Sequence, residues 1–209
     1  MILPPAPLRL ALSHDALIAN WRWLAARSGP AACGAAVKAN GYGLGAREVV
    51  TRLRAIGVRD FFVATWAEAA ELTPVVGDAS LSVLHGVRAA DMPLATQGFA
   101  RPVLNSAEQV ARWRAAGGGL CDVMVDTGMN RLGLTPAQAL SGLLDGLPIE
   151  SLMSHLASAD EDVLQNGAQL AAFRAVASAI PARRRSLANS AGICLGPEYQ
   201  FDLTRPGLA

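Results

Sequence analysis

The sequence predicts an α/β fold, a TIM-type (β/α)8 barrel truncated after its eighth strand, on three observations. Short apolar runs recur roughly every twenty to twenty-five residues, and the segments between them carry helical patterning. The polar residues with chemical potential fall at the C-terminal ends of those runs, where barrels of this class place function. An open doubly wound sheet shares the first two features. No GxGxxG follows the first run, which weakens the dinucleotide-binding version of that alternative.

The strand candidates are 34–39, 61–66, 81–86, 101–106, 121–126, 149–156, 184–190 and 201–207. They are apolar nearly throughout, as strands covered on both faces are. Residues 13–27 put Leu17, Ile18, Trp21 and Leu24 on one helical face. A second helix over 46–57 stops at Gly57, and a third over 106–118 opens at Ser106 and ends in glycines. One over 135–146 opens with Thr135 and Pro136, and the longest, 161–180, ends before Pro181. The whole of 1–209 reads as one barrel domain, with 1–12 expected to pack on, or belong with, a part outside it. No eighth helix follows the last strand candidate.

Hydrophobic residues make up 52% of the 209 and the mean hydropathy is +0.29, enough for a large core. The net charge of +1 comes from dispersed arginines, apart from 183–185, which read as a solvated loop. That balance gives no nucleic-acid footprint. Cys33, Cys121 and Cys194 are odd in number and far apart, and the three histidines lack metal spacing. The opening "MILPPAPLRLAL" has prolines where a signal peptide needs a basic segment and an unbroken apolar one. No run approaches membrane-spanning length. The expectation is a cytoplasmic protein with no nucleic-acid or membrane partner and no metal.

At the strand ends stand Lys38, His85, Asn105, Arg131, His155, Asn189 with Ser190, and Arg205. Lys38, in "AAVKANGYGLG", is the single lysine of the chain, beside 17 arginines. Arginine serves for ion pairs and anion binding, but only lysine supplies a primary amine that is nucleophilic when neutral. Lys38 is therefore the candidate for covalent chemistry.

Five stretches carry a resemblance: "AVKANGYGLG" (36–45), "VDTGMNRLGL" (125–134), "SHLASAD" (154–160), "LANSAGI" (187–193) and "FDLTRPGLA" (201–209). Together, and at these spacings, they resemble the alanine racemases, pyridoxal-phosphate enzymes of fold type III. The resemblance implies that Lys38 carries pyridoxal 5'-phosphate and serves as one of two bases at the substrate Cα. It implies phosphate contacts from Tyr42, Ser190 and the backbone of Gly207 and Leu208, with Asn189 in the same cofactor-binding group. Arg205 would face the pyridine nitrogen, His155 would pack beside the cofactor and hydrogen-bond Arg205, and Arg131 would meet the substrate carboxylate. It further implies alanine as substrate, supply of D-alanine for peptidoglycan precursors, and a homodimer of the full-length protein.

Two departures stand out. Met124 occupies the place where many family members carry a carbamylated lysine that positions the arginine. The second base of the family is a tyrosine of the partner's C-terminal β domain, and neither that domain nor a matching tyrosine is present in this chain, whose tyrosines are Tyr42 and Tyr199. The chain alone is thus expected to be weakly active or inactive. A non-catalytic pyridoxal-phosphate carrier barrel and an inactive racemase fragment are the alternatives.

Overall fold

In the computed structural model, which describes residues 11–207, seven of the strands form a sheet whose neighbours are also neighbours in sequence. The strands are β1 (Ala32–Cys33), β2 (Ala35–Ala36), β3 (Asp60–Val63), β4 (Ser80–Val83), β5 (Arg101–Leu104), β6 (Cys121–Met124), β7 (Ile149–Met153), β8 (Arg184–Ser186) and β9 (Leu203–Thr204). Each adjacent pair from β2 to β8 is parallel, and β1 pairs in parallel with β9.

The strand predicted at 34–39 is β1 and β2 around Gly34, because this stretch bonds to two different neighbours. On one side Ala32 N, Gly34 N and Ala36 N donate to Asp202 O, Thr204 O and Pro206 O; on the other Val37 N donates to Phe62 O. Asp202 N and Arg205 N reach across to Arg185 O and Ala188 O beside β8. These bonds close the sheet into a barrel.

The helices are α1 (His14–Arg27), α2 (Lys38–Tyr42), α3 (Ala46–Ala55), α4 (Trp66–Val76), α5 (Met92–Ala95), α6 (Ala107–Ala115), α7 (Pro136–Ala139), α8 (Leu164–Ala179) and α9 (Ser190–Leu195). Ser13, Ser106 and Thr135 cap α1, α6 and α7 through side-chain oxygens. The helix predicted over 135–146 is a single turn, since the chain reverses at Gly142 and Gly146 with φ of 84° and 76°. Of the predicted 1–12 segment, residues 1–10 lie outside the described residues. Among the described residues no helix is long and apolar enough to cross a membrane.

Alternation along the strands builds two apolar layers. Phe61, Val63, Val83, Leu104 and Leu152 face outward against Trp66, Leu72, Val110 and Phe173 of the helices. Phe62, Val103, Met124, Met153 and Leu203 pack together as a separate cluster inside the barrel. The N-terminal end of the barrel is polar. Arg184 donates from both terminal nitrogens to Asp60, at 2.7 and 2.9 Å, and Ser80 Oγ donates to the same carboxylate at 2.8 Å. The arginine run at 183–185 is therefore not simply a solvated loop: Arg184 opens β8 and ties it to the start of β3. This end lies away from the strand termini that carry chemistry and serves stability.

Candidate active site

A cavity of about 560 Å³ opens at the C-terminal ends of the strands. Lys38, Tyr42, Arg131, His155, Asn189, Ser190, Arg205 and Gly207 all line it, with Phe62 and Met124 of the inner cluster beneath. Leu208 lies outside the described residues. Of the other polar strand-end residues, His85 also lines the cavity. Asn105 does not; its buried amide donates to Leu84 O and Val103 O, a structural role.

Lys38 leaves β2 into an unusual turn. Ala39, Asn40 and Gly41 have φ of 52°, 53° and 64°, followed by Tyr42 at 56° and Gly43 at 86°. Consecutive left-handed residues are costly, about 1–2 kcal/mol for each that is not glycine, so the turn needs anchors. Gly41 N bonds Val37 O, Gly45 N bonds Asn40 O, and Asn40 Oδ1 accepts from Ala46 N at 2.9 Å. Glu68 Oε1 accepts from Ala39 N at 2.7 Å. The turn brings Lys38 and Tyr42, four residues apart, onto the same cavity wall. Strain concentrated at such a site is a common mark of function. Burial and the nearby Arg131 guanidinium push the Lys38 ammonium below its ordinary value, with Glu68 opposing them. The neutral amine is favoured accordingly.

Tyr42, Ser190 and Gly207 converge on one stretch of wall. Gly207 N donates to Ser190 Oγ at 3.0 Å. A Cβ on Gly207 would run into the Tyr42 phenol, so only glycine permits this approach. Asn189 caps α9 by accepting from Gly192 N at 2.8 Å, which fixes the start of the helix bearing Ser190. Two hydroxyls, one of them held by the Gly207 N–H, share the cavity with Lys38, Arg131 and Arg205, a set of groups suited to a phosphorylated anion.

Arg205 is buried, donating to Ser186 Oγ and, at 2.6 Å, to Ser154 O. Neither of these bonds goes to the His155 imidazole, the partner the resemblance implies. Burial lowers Arg205 to about 10, with Asp122 opposing, so the guanidinium keeps its proton at neutral pH. Burial, with the cations Arg205, Arg131 and Lys38 around it, lowers His155 to about 3, leaving its ring neutral.

Ser154 also links the two arginines. Its Oγ lies 2.7 Å from Thr127 Oγ1, in the loop that carries Arg131. Asp126 Oδ1 holds that loop by accepting from the backbone N–H groups of Gly128, Met129 and Asn130. With Met124 packed in the inner cluster, Asp126 and Thr127 supply the bonds that shape the Arg131 loop. Glu68 lies outside the quoted motifs, and Thr127 and Ser154 lie within them but their bonds do not show in the sequence. Only the local part of their roles leaves a trace there: the Thr65–Glu68 capping box and the Asp–Thr–Gly turn.

Residues 12–209 match the family described as alanine racemase, N-terminal domain. The chain is 44% identical over 214 residues to the alanine racemase of Rhizobium meliloti (strain 1021), covering 98% of this chain and 56% of that protein. It is 47% identical over 204 residues to the alanine racemase of Jannaschia sp. (strain CCS1), covering 95% and 58%. Among solved structures, alanine racemase from Bartonella henselae with covalently bound pyridoxal phosphate superposes with a TM-score of 0.87 at 35% identity, over 94% of this chain and 58% of that one. Biosynthetic alanine racemase from Pseudomonas aeruginosa gives 0.83 at 34% identity, over 93% and 56%. The chain thus spans a little over half the length of the relatives it matches.

Proposed function

The chain belongs to the alanine racemase family, whose N-terminal domain it matches, and on that premise we propose that its cavity holds pyridoxal phosphate on Lys38 and moves a proton at the Cα of alanine. The observation that carries this reading is the single lysine, its amine shifted toward neutrality, opening on the same cavity as Tyr42, Ser190 and Gly207. Those three would hold the phosphate, with Leu208 as a further backbone donor and Asn189 fixing Ser190. Arg205 would face the pyridine nitrogen and His155 would pack beside the ring. When bound, pyridoxal phosphate supplies an electron sink for charge developing at the substrate Cα.

The protein's own groups have separate tasks. Lys38, as neutral amine, takes or returns the proton on its face of Cα. Arg131 offers its guanidinium to the substrate carboxylate. Arg205 retains its proton near neutral pH, so it presents a hydrogen bond rather than an acid. The proton on the opposite face needs a second group. Tyr42 is the one tyrosine among the cavity-lining residues, and Tyr199 is buried in the core. The resemblance implies a tyrosine of the partner's C-terminal domain for this role, and on that ground we assign the second base to a part of the full-length protein outside these 209 residues, contributed across a homodimer. Interconversion of L- and D-alanine in the cytoplasm, feeding peptidoglycan synthesis, is the proposed activity of that whole.

The chain loaded with pyridoxal phosphate and given L-alanine in deuterated water tests this. Exchange at Cα is expected, with inversion to D-alanine slower by about 10² or more, the worth of one positioned acid–base group. Inversion keeping pace with exchange would contradict the missing base, and no exchange would sink the proposal. Gly207→Ala is expected to weaken pyridoxal phosphate binding about tenfold or more, as for lost bonds to a charged group, with the circular dichroism of the fold unchanged. Unaltered affinity would remove Tyr42 and Gly207 from the phosphate site.

A further inference from the structure

We propose that Glu68 is the positioning residue for Lys38: its carboxylate pins the strained turn that presents the amine to the cavity, and holds a negative charge beside it. Oε1 accepts from Ala39 N, the amide immediately after Lys38, at 2.7 Å. Oε2 accepts from Ala64 N at 2.7 Å and from Thr65 N at 3.2 Å. One carboxylate thus bridges the turn that follows β2 and the end of β3, and Ala64 lines the cavity together with Lys38. Bonds this short from N–H to an ionised acceptor are among the stronger ones.

Capping of α4 accounts for only part of this arrangement. The capping box needs Thr65 Oγ1 to accept from Glu68 N and the Glu68 carboxylate to return a bond to Thr65 N, and both are present. The bond to Ala39, on a different element, lies outside that motif. It reaches the first residue of the left-handed run, Ala39, whose φ is 52°.

The electrostatic part is equally specific. The charged and titratable groups lining the cavity with Lys38 are Tyr42, His85, Arg131, His155, Asp160 and Arg205. Burial and Arg131 favour loss of the Lys38 proton, and Glu68 is the carboxylate that works the other way. Glu68 therefore favours the charged ammonium while anchoring the turn that presents it. This inference rests on the reading of Lys38 as the reactive amine.

Because Lys38 is the single lysine, acetylation of the cofactor-free chain, read by mass spectrometry of its peptide, reports on one side chain. Glu68→Gln removes the charge and turns one of the two accepting oxygens into an NH2 that faces a backbone N–H. It is expected to speed Lys38 acetylation near neutral pH about two- to fivefold, the range of a partly screened charge pair. Glu68→Ala, which removes both accepting oxygens, is expected in addition to raise hydrogen exchange at the Ala39 amide about fivefold or more. Thr65→Ala breaks the helix cap but leaves the carboxylate, and is expected to leave acetylation unchanged. Acetylation of Glu68→Gln at the unaltered rate, or equal acceleration in Thr65→Ala, would overturn the proposal. The assay contains no pyridoxal phosphate, so failure to bind that cofactor would count against the proposed function and leave this result standing.

Discussion

Lys38→Ala is expected to abolish retention of pyridoxal phosphate on the purified chain and to lower Cα exchange of alanine by about 10² to 10⁴, the worth of a positioned general base. No other residue can substitute. Every other basic side chain except the histidines is arginine, whose guanidinium does not become a neutral nucleophile in a protein. Lys38→Arg, which keeps the positive charge, is expected to fail equally, separating amine chemistry from charge. The fold should not suffer, because Lys38 sits beside the cation Arg131 and its removal relieves that repulsion. Cofactor absorbance, deuterium incorporation and a denaturant melt together check the three statements. Retained cofactor in either variant would refute the assignment of Lys38.

Asp60→Ala is expected to destabilise the chain by about 1–3 kcal/mol, the cost of leaving buried donors without an acceptor, because Arg184 keeps its ion pair with Glu150 at 3.2 Å. Arg184 would lose both of its bonds to the carboxylate, and Ser80 Oγ its acceptor. The pair joins residues 124 apart in sequence, so it locks β3 to β8 across the barrel end. Burial pushes the Asp60 carboxyl up, but Arg184, Ser80 and Arg101 outweigh it and hold the group below its usual range. A depressed folded value means that the stabilisation is complete above the ordinary carboxyl value of about 4. It is lost as pH falls through the folded value. The unaltered chain should thus lose more stability on acidification than Asp60→Asn does. Urea melts at neutral and acid pH check the sign, and equal pH dependence would refute the role of the pair.

The strands were legible because the barrel makes both faces of most strands apolar. Phe61 and Phe62 point to opposite layers, yet both are buried, and the result is an unbroken hydrophobic run. Closure was less legible. The split of the first strand at Gly34 depends on bonds to residues 202–206, which no local pattern encodes. Lys38 stood out by composition and Tyr42, Ser190, Arg205 and Gly207 by motif. The bonds that hold these residues are another matter. Arg205 meets Ser154 across 51 positions, Thr127 meets Ser154 across 27, and Glu68 meets Ala39 across 29. Such pairs exist only once the barrel has formed. Arg184 was obscured for the same reason: within a run of three arginines, nothing local distinguishes the one that faces Asp60.

The central claim, that one cavity is built to hold pyridoxal phosphate on Lys38, has a direct measurement. The chain is incubated with pyridoxal phosphate, reduced with borohydride, digested and read by mass spectrometry. The reduced cofactor is expected on the peptide containing Lys38 and on no other internal peptide. Cofactor recovered only in free form, or attached only at the amino terminus, would contradict that claim.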